Sequence, residues 1–204
     1  MAKSKSNALK NISVLFVVAL VSVALLAVLN QVTKDKIAEA ETQAKIEVYQ
    51  SVFESAETIE EIEEYSPEKS SYAPEDESIT INAVLEARSK DNEKLGYVFD
   101  VTSSEGYGGD VQIAVGITND GEITAFKVIS ASETPGLGAK SMEDEYASEF
   151  SGLSALENIT FVKSDAKSEN NEIDAIGGAT ITTTATTNAV NAAIDMFNNV
   201  LKGE

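Results

Sequence analysis

Two glycine-bearing segments hold the residues whose types and spacing suit chemistry. The first reads Ser132, Glu133, Thr134, Pro135, Gly136, Leu137, Gly138, Ala139, Lys140, and the second Asp174, Ala175, Ile176, Gly177, Gly178, Ala179, Thr180, Ile181, Thr182, Thr183, Thr184. In the second, glycines let backbone come close to a ligand, and hydroxyls cluster where a helix is expected to begin. Unpaired N–H groups and the helix dipole favour an anion there, and a phosphate suits the place. Thr182 to Thr184 would equally serve to cap the helix while the glycines make a turn, and periodicity does not choose between the two. A nucleotide P-loop is excluded, because Ala139 separates Gly138 from Lys140 and the glycine that should precede the Gly-Lys pair is missing. The dinucleotide fingerprint is absent as well.

Composition narrows what these segments can do. The chain has 204 residues, room for one domain of ordinary size and an anchor. It contains no cysteine and no histidine. That removes disulfides, iron–sulfur clusters, His-ligated haem, Cys or His zinc sites, and any Ser/His or Cys/His nucleophile pair. Redox chemistry would need a borrowed cofactor. Against 34 Asp+Glu stand 15 Lys+Arg, of which Arg88 is the single arginine, for a net charge of -19. This balance argues against a nucleic-acid partner, since phosphate binding wants a basic face.

The elements that must position the two segments follow from hydrophobic periodicity. Ile12 to Leu29 is a run of 18 uncharged residues, which as a helix spans about 27 Å and is long enough to cross a bilayer. No small-residue cleavage site follows it, so a retained anchor is expected rather than a signal peptide. Lys3, Lys5 and Lys10 precede the span, and Lys34 and Lys36 follow it with Asp35 between, a balance that mildly favours an N-terminus in the cytoplasm. Residues 37–204 then lie outside, with 10 basic and 33 acidic residues and a net charge of -23. The span has no ionisable group, so an ion path through it is not expected.

Gln31 to Glu64 reads as an amphipathic helix continuing from the membrane, with Ile37, Ala40, Ala44, Val48 and Val52 on one stripe. Tyr65 to Ser78, with Pro67 and Pro74, reads as a loop. Strands are expected at Val84 to Arg88, around Leu95 to Thr102, at Val111 to Ile117 and at Glu122 to Ile129, with a tight turn at Asn119, Asp120, Gly121. Met142, Tyr146 and Phe150 suggest a short helix, Ile159 to Lys163 a further strand, and Val190, Ala193, Ile194, Phe197 and Leu201 the stripe of a last helix. The class is α+β, an antiparallel sheet with one covered face and packed helices, preceded by one transmembrane helix.

The segment Asp174 through Thr184 closely resembles the flavinylation motif of the FMN-binding domain family. In that motif an Asp precedes a Ser/Thr-Gly-Ala-Thr stretch whose final Thr hydroxyl forms a phosphoester with FMN, the position of Thr180 here. Glu133 to Gly138 resembles the family's second signature, a Glu-Thr-Pro-Gly-Leu-Gly loop that lies against the flavin. Gly177 departs from the pattern, which more often has Ser or Thr there. The resemblance implies covalent FMN on Thr180, a phosphorylated threonine in effect. It also implies cofactor contacts from Glu133, Thr134, Gly136, Leu137, Gly138, Gly178, Ala179 and Thr182, with Leu137 and Tyr107 packing on the ring. Asp174 would belong to the motif that a separate flavin transferase reads. No catalytic side chain and no metal ligand is expected.

One N-terminal span followed by an outward domain is similar to the family of G subunits of Rnf complexes, the ion-translocating ferredoxin:NAD oxidoreductases. This likeness implies an electron-transfer subunit with no substrate of its own, coupled elsewhere to Na+ or H+ movement. Its implied partners are the membrane, other Rnf subunits including membrane-embedded ones, and a flavin transferase that uses FAD and a metal ion. The C subunit of the sodium-translocating NADH:quinone reductase and stand-alone extracellular FMN carriers are the alternatives. The expected organisation is a cytoplasmic N-terminus over residues 1–11, a transmembrane helix over 12–30, a helical stalk and loop over 31–78, and an FMN-binding domain over 79–204 on the extracytoplasmic side.

Overall fold

The computed structural model describes residues 2–65 and 72–202. Residues 66–71, part of the expected loop and including Pro67, lie outside the described residues. The chain forms two compact units, Met1–Ala44 and Lys45–Glu204. The first unit is the greater part of helix α1, whose bounds are Ala2–Val52. From Ile12 to Val32 its apolar side chains are exposed, and α1 is the one helix among the described residues long and apolar enough to cross a membrane. The hydroxyls of Ser22 and Thr33 donate back to the carbonyls of Val18 and Leu29, at 2.9 and 3.0 Å. They therefore present no unpaired polar atom to an apolar surrounding.

In the second unit, strands β1 (Thr58–Glu61), β2 (Ile79–Arg88), β3 (Lys94–Gly106), β4 (Gly109–Thr118) and β5 (Ile123–Ala131) form an antiparallel sheet in chain order. Helix α2 (Asp144–Ser148) and a parallel pair, β6 (Thr160–Val162) with β7 (Glu172–Asp174), follow. Helix α3 (Thr180–Met196) continues as a π-helical turn, Phe197–Leu201. The expected stripe from Val190 to Leu201 is buried and packs in one cluster with Tyr97, Phe99, Val101, Ile113 and Val115 of the sheet. Tyr146 of α2 meets Thr186 of α3 hydroxyl to hydroxyl at 2.7 Å, and the Phe126 and Phe150 rings stack at 4.3 Å.

Three expectations change. The helix ends at Val52, because Phe53 turns into the core and is 1 % exposed. Thr58–Glu61, read from sequence as helix, then pairs with the edge of β2. The sheet also has two covered faces rather than one. Val52 and Phe53 pack on Ala83, Leu85, Ala87, Val98 and Ala114, away from α3. Three of those positions are alanine and the chain lies close: a Cβ on Gly116 would sit 2.5 Å from the Val52 carbonyl oxygen, which also accepts the Thr124 hydroxyl. Finally, Met142 is exposed and ends a 3-10 turn, Gly138–Met142, instead of sharing a helix with Tyr146. In the turn before β5, only Gly121 takes a positive φ, +82°.

The second face is tied by a buried carboxylate. Asp100, on β3, is 1 % exposed. It accepts the Tyr49 hydroxyl at 2.6 Å, the Asn82 amide at 2.7 Å and the Gln112 amide at 2.7 and 2.9 Å. Lys45 lies 3.6 Å from it. Asn82 reaches it because the β2–β3 register shifts between Ile81 and Ala83, leaving Asn82 as the extra residue of a bulge. Burial and the neighbouring carboxylate push the Tyr49 hydroxyl far above its ordinary range, so it stays a donor. Replacing Asp100 by Ala leaves several donors without an acceptor and is expected to cost about 3 kcal/mol. Thermal denaturation should then show a melting temperature lower by roughly 6–12 °C.

Candidate functional site

The two glycine segments, 40 residues apart in sequence, meet in one cleft of about 410 Å3, inside the range of small-molecule sites, about 300–1,000 Å3. Glu133, Thr134, Leu137 and Gly138 line one wall, and Gly178, Ala179, Thr180, Ile181 and Thr182 the other. Tyr107 closes one side. Gly136 is not part of the lining. Its place is conformational: it takes φ +77° as the third residue of a turn closed by the Leu137 amide donating to the Thr134 carbonyl at 3.1 Å. This is the type II geometry that Pro135-Gly136 suits.

Tyr107 arrives through the two-residue connection between β3 and β4. Gly108 lies so close to Ser132 that a Cβ there would overlap the Ser132 carbonyl, and its amide points at Glu133 Oε1 from 3.4 Å. The Tyr107 ring is left 70 % exposed beside the cleft. Together with Leu137 and Ile181, 42 % and 53 % exposed, it forms an apolar border. Ile181 is the lining residue that sequence reading missed. Its signal was an apolar side chain placed among threonines and off the buried stripe of α3.

The start of α3 is open. The first bond of the helix type runs from the Thr183 amide to the Ala179 carbonyl at 3.0 Å, so the amides of Thr180, Ile181 and Thr182 have no carbonyl of the helix to reach. No side chain caps this end. The threonines are engaged elsewhere: Thr183 accepts the Ile176 amide at 3.0 Å and donates to the Ala179 carbonyl at 3.1 Å, and Thr184 donates to the Thr180 carbonyl at 2.9 Å. The capping alternative for Thr182 to Thr184 is therefore not what the structure shows. Thr182, fully buried, has no hydrogen-bond partner for Oγ1, and neither has the buried Oε2 of Glu133. Such atoms are costly unless something else meets them.

Asp174 stands apart from this cleft. It lines a second depression of about 240 Å3 with Lys140, Glu149 and Gly177. Its amide donates to Glu149, and its Oδ1 accepts the Ala166 amide at 2.8 Å. Burial, then the nearby Asp174 and Glu145 charges, hold the Glu149 carboxyl above its usual range, with the bond from the Asp174 amide working the other way.

Comparison with known proteins finds relatives of this chain. Residues 106–195 match the model of the FMN-binding domain, and residues 1–52 that of the RnfG N-terminal region. The chain is 36 % identical over 194 residues to the G subunit of the Na+-translocating ferredoxin:NAD+ oxidoreductase complex of Acetobacterium woodii, covering 93 % of this chain and 91 % of that one. It is also 36 % identical, over 118 residues, to the G subunit of the proton-translocating ferredoxin:NAD+ oxidoreductase complex of Clostridium ljungdahlii, covering 58 % and 62 %. The crystal structure of Shewanella oneidensis NqrC shares the fold, with a TM-score of 0.52 at 18 % identity over 75 % of this chain and 74 % of that one.

Gly138 separates the two unpaired oxygens. A Cβ there would overlap Glu133 Oε2 and stand 2.5 Å from Thr182 Oγ1. Gly138→Ala is expected to lower stability by about 1–3 kcal/mol, read by denaturant unfolding, and Gly136→Ala by about 1 kcal/mol from its φ alone.

Proposed function

Because the chain belongs to the RnfG family, the G subunits of ion-translocating ferredoxin:NAD+ oxidoreductase complexes, we propose that it is the electron-transfer subunit of such a complex, with FMN esterified to Thr180. The observation that carries this reading is the cleft itself, where both glycine segments converge on an exposed threonine hydroxyl beside three free amides. The residues fit the group. Gly138 and Gly178 leave room that side chains would fill, the unpaired Thr182 hydroxyl awaits a polar partner, and Tyr107, Leu137 and Ile181 offer apolar surface for a flat ring. Bound there, the flavin supplies the one- and two-electron chemistry that this chain, without cysteine or histidine, has no side chain to perform.

In this reading Thr180 and the amides of α3 hold the phosphate, Glu133, Thr134 and Thr182 present polar atoms, Ala179 and Gly178 supply backbone, and Leu137 and Tyr107 border the ring. The chain loads no flavin by itself, since no side chain on the cleft's lining serves as a base for Thr180 with the strength an unactivated hydroxyl needs. A flavin transferase does so: Thr180 Oγ bonds to the FMN phosphorus of FAD, the pyrophosphate bond breaks, AMP leaves, and the transferase accepts the hydroxyl proton. Asp174, with Gly177 exposed beside it, forms the side of the motif that this enzyme reads.

The ion passes through other subunits. The segment Ile12 to Leu29 has no ionisable side chain, and relatives of equal identity are named for Na+ and for protons, which fits an ion choice made elsewhere. The N-terminus is cytoplasmic, and the FMN-binding domain lies outside, where a tethered flavin cannot be lost by dilution.

Thr180→Ala should abolish in-gel flavin fluorescence after denaturation while the melting temperature moves by less than about 2 °C, because no side-chain bond to the fold is lost. Thr180→Ser should retain part of the signal; one FMN mass remaining on the alanine variant would refute the assignment. For topology, protease added to intact cells, after wall removal where one is present, should digest the chain beyond Lys45 and spare a cytoplasmic control. Protection of the domain would reverse the orientation.

A further inference from the structure

The charge of the cleft bears on the form of flavin it accepts, an inference that rests on the reading above. Glu133 is its one acidic side chain, and neither lysine nor arginine lines it among the described residues. The carboxylate is not merely at the rim. Its Oε2 is buried and unpaired, and both it and Thr182 Oγ1 crowd the same point beside Gly138. Thr182 belongs to the first turn of α3. The positive end of that helix dipole therefore already faces a negative charge, which offsets part of its attraction for an anion.

A phosphate monoester such as free FMN carries about -1.5 to -2 charges at pH 7. Once esterified to Thr180 it is a diester and keeps a single negative charge. Placing the second charge beside a buried carboxylate, with no cation to pair, is unfavourable, because desolvation and repulsion act together. We infer that the cleft discriminates against the phosphate dianion and accepts flavin as the Thr180 diester or as uncharged riboflavin, and that Glu133 sets this selectivity. The ester thus lowers the charge of the ligand to one the cleft tolerates, besides retaining it. Free FMN released nearby is a weak competitor for the site.

The test titrates full-length Thr180→Ala chain, purified in detergent, with riboflavin and with FMN, following flavin fluorescence. Riboflavin should bind at least as tightly as FMN. Adding Glu133→Gln should tighten FMN binding about tenfold and leave riboflavin within about twofold; Glu133→Ala replaces it should the glutamine variant fail to fold. FMN binding several-fold tighter than riboflavin to Thr180→Ala, an equal change for both flavins on removing the carboxylate, or no binding of either flavin to either variant overturns the inference. Covalent FMN on the wild-type chain, the measure of the proposed function, is untouched by these outcomes.

Discussion

Helix α3 has to be held so that its first turn faces the Glu133 loop, yet among the described residues a single side-chain bond, from the Ile176 amide to Thr183, ties that turn to chain outside the helix. What holds it is burial further along. Ala185, Ala189, Val190, Ala193 and Ile194 leave almost no surface exposed, and the last four pack in one cluster with β3 and β4, which fixes the helix axis over the sheet. Asn191 adds two bonds to Ile159, at 2.8 and 2.9 Å, and Tyr146 adds the bond to Thr186. Every one of these ties lies beyond Thr182. The N-terminal amides are thus held in place with no side chain capping them.

The cleft and the opposite sheet face impose different demands on sequence. Around the cleft the requirement is for missing atoms: glycines at 106, 108 and 138 stand where a Cβ would meet neighbouring chain, and positive φ angles fall at Gly136 and Gly178. On the far face, the end of α1 needs a shallow bed of alanines and Gly116. It also needs one charge, Asp100, whose partners come from α1, β2 and β4.

These demands explain what could be read from sequence. Gly and Thr clusters announce themselves locally, so the two segments, the Pro135-Gly136 turn and the α3 stripe were legible, as was the alternation of Tyr97, Phe99 and Val101. The Asp100 cluster was not, because Tyr49, Asn82 and Gln112 are separated from it by 51, 18 and 12 positions, and each residue alone looks like an ordinary surface polar group. Alanines at 83, 87 and 114 likewise gave no hydrophobic amplitude to mark a covered face. Thr58 to Glu61 is too polar for strand periodicity to outweigh its charge run, and only pairing with β2 makes it a strand. Ile181 was hidden by the threonines on either side.

The contact of Val52 and Phe53 with the sheet also sets an order of assembly. The bond from Thr124 to Val52 closes a loop of 72 residues, and that from Tyr49 to Asp100 one of 51, so this face is completed by contacts remote in sequence. A chain is synthesised from its N-terminus, and the covering segment is therefore present before the strands that it covers. The meander can form against a helix end that already exists. Its second apolar face never has to wait, bare, for a cover made later.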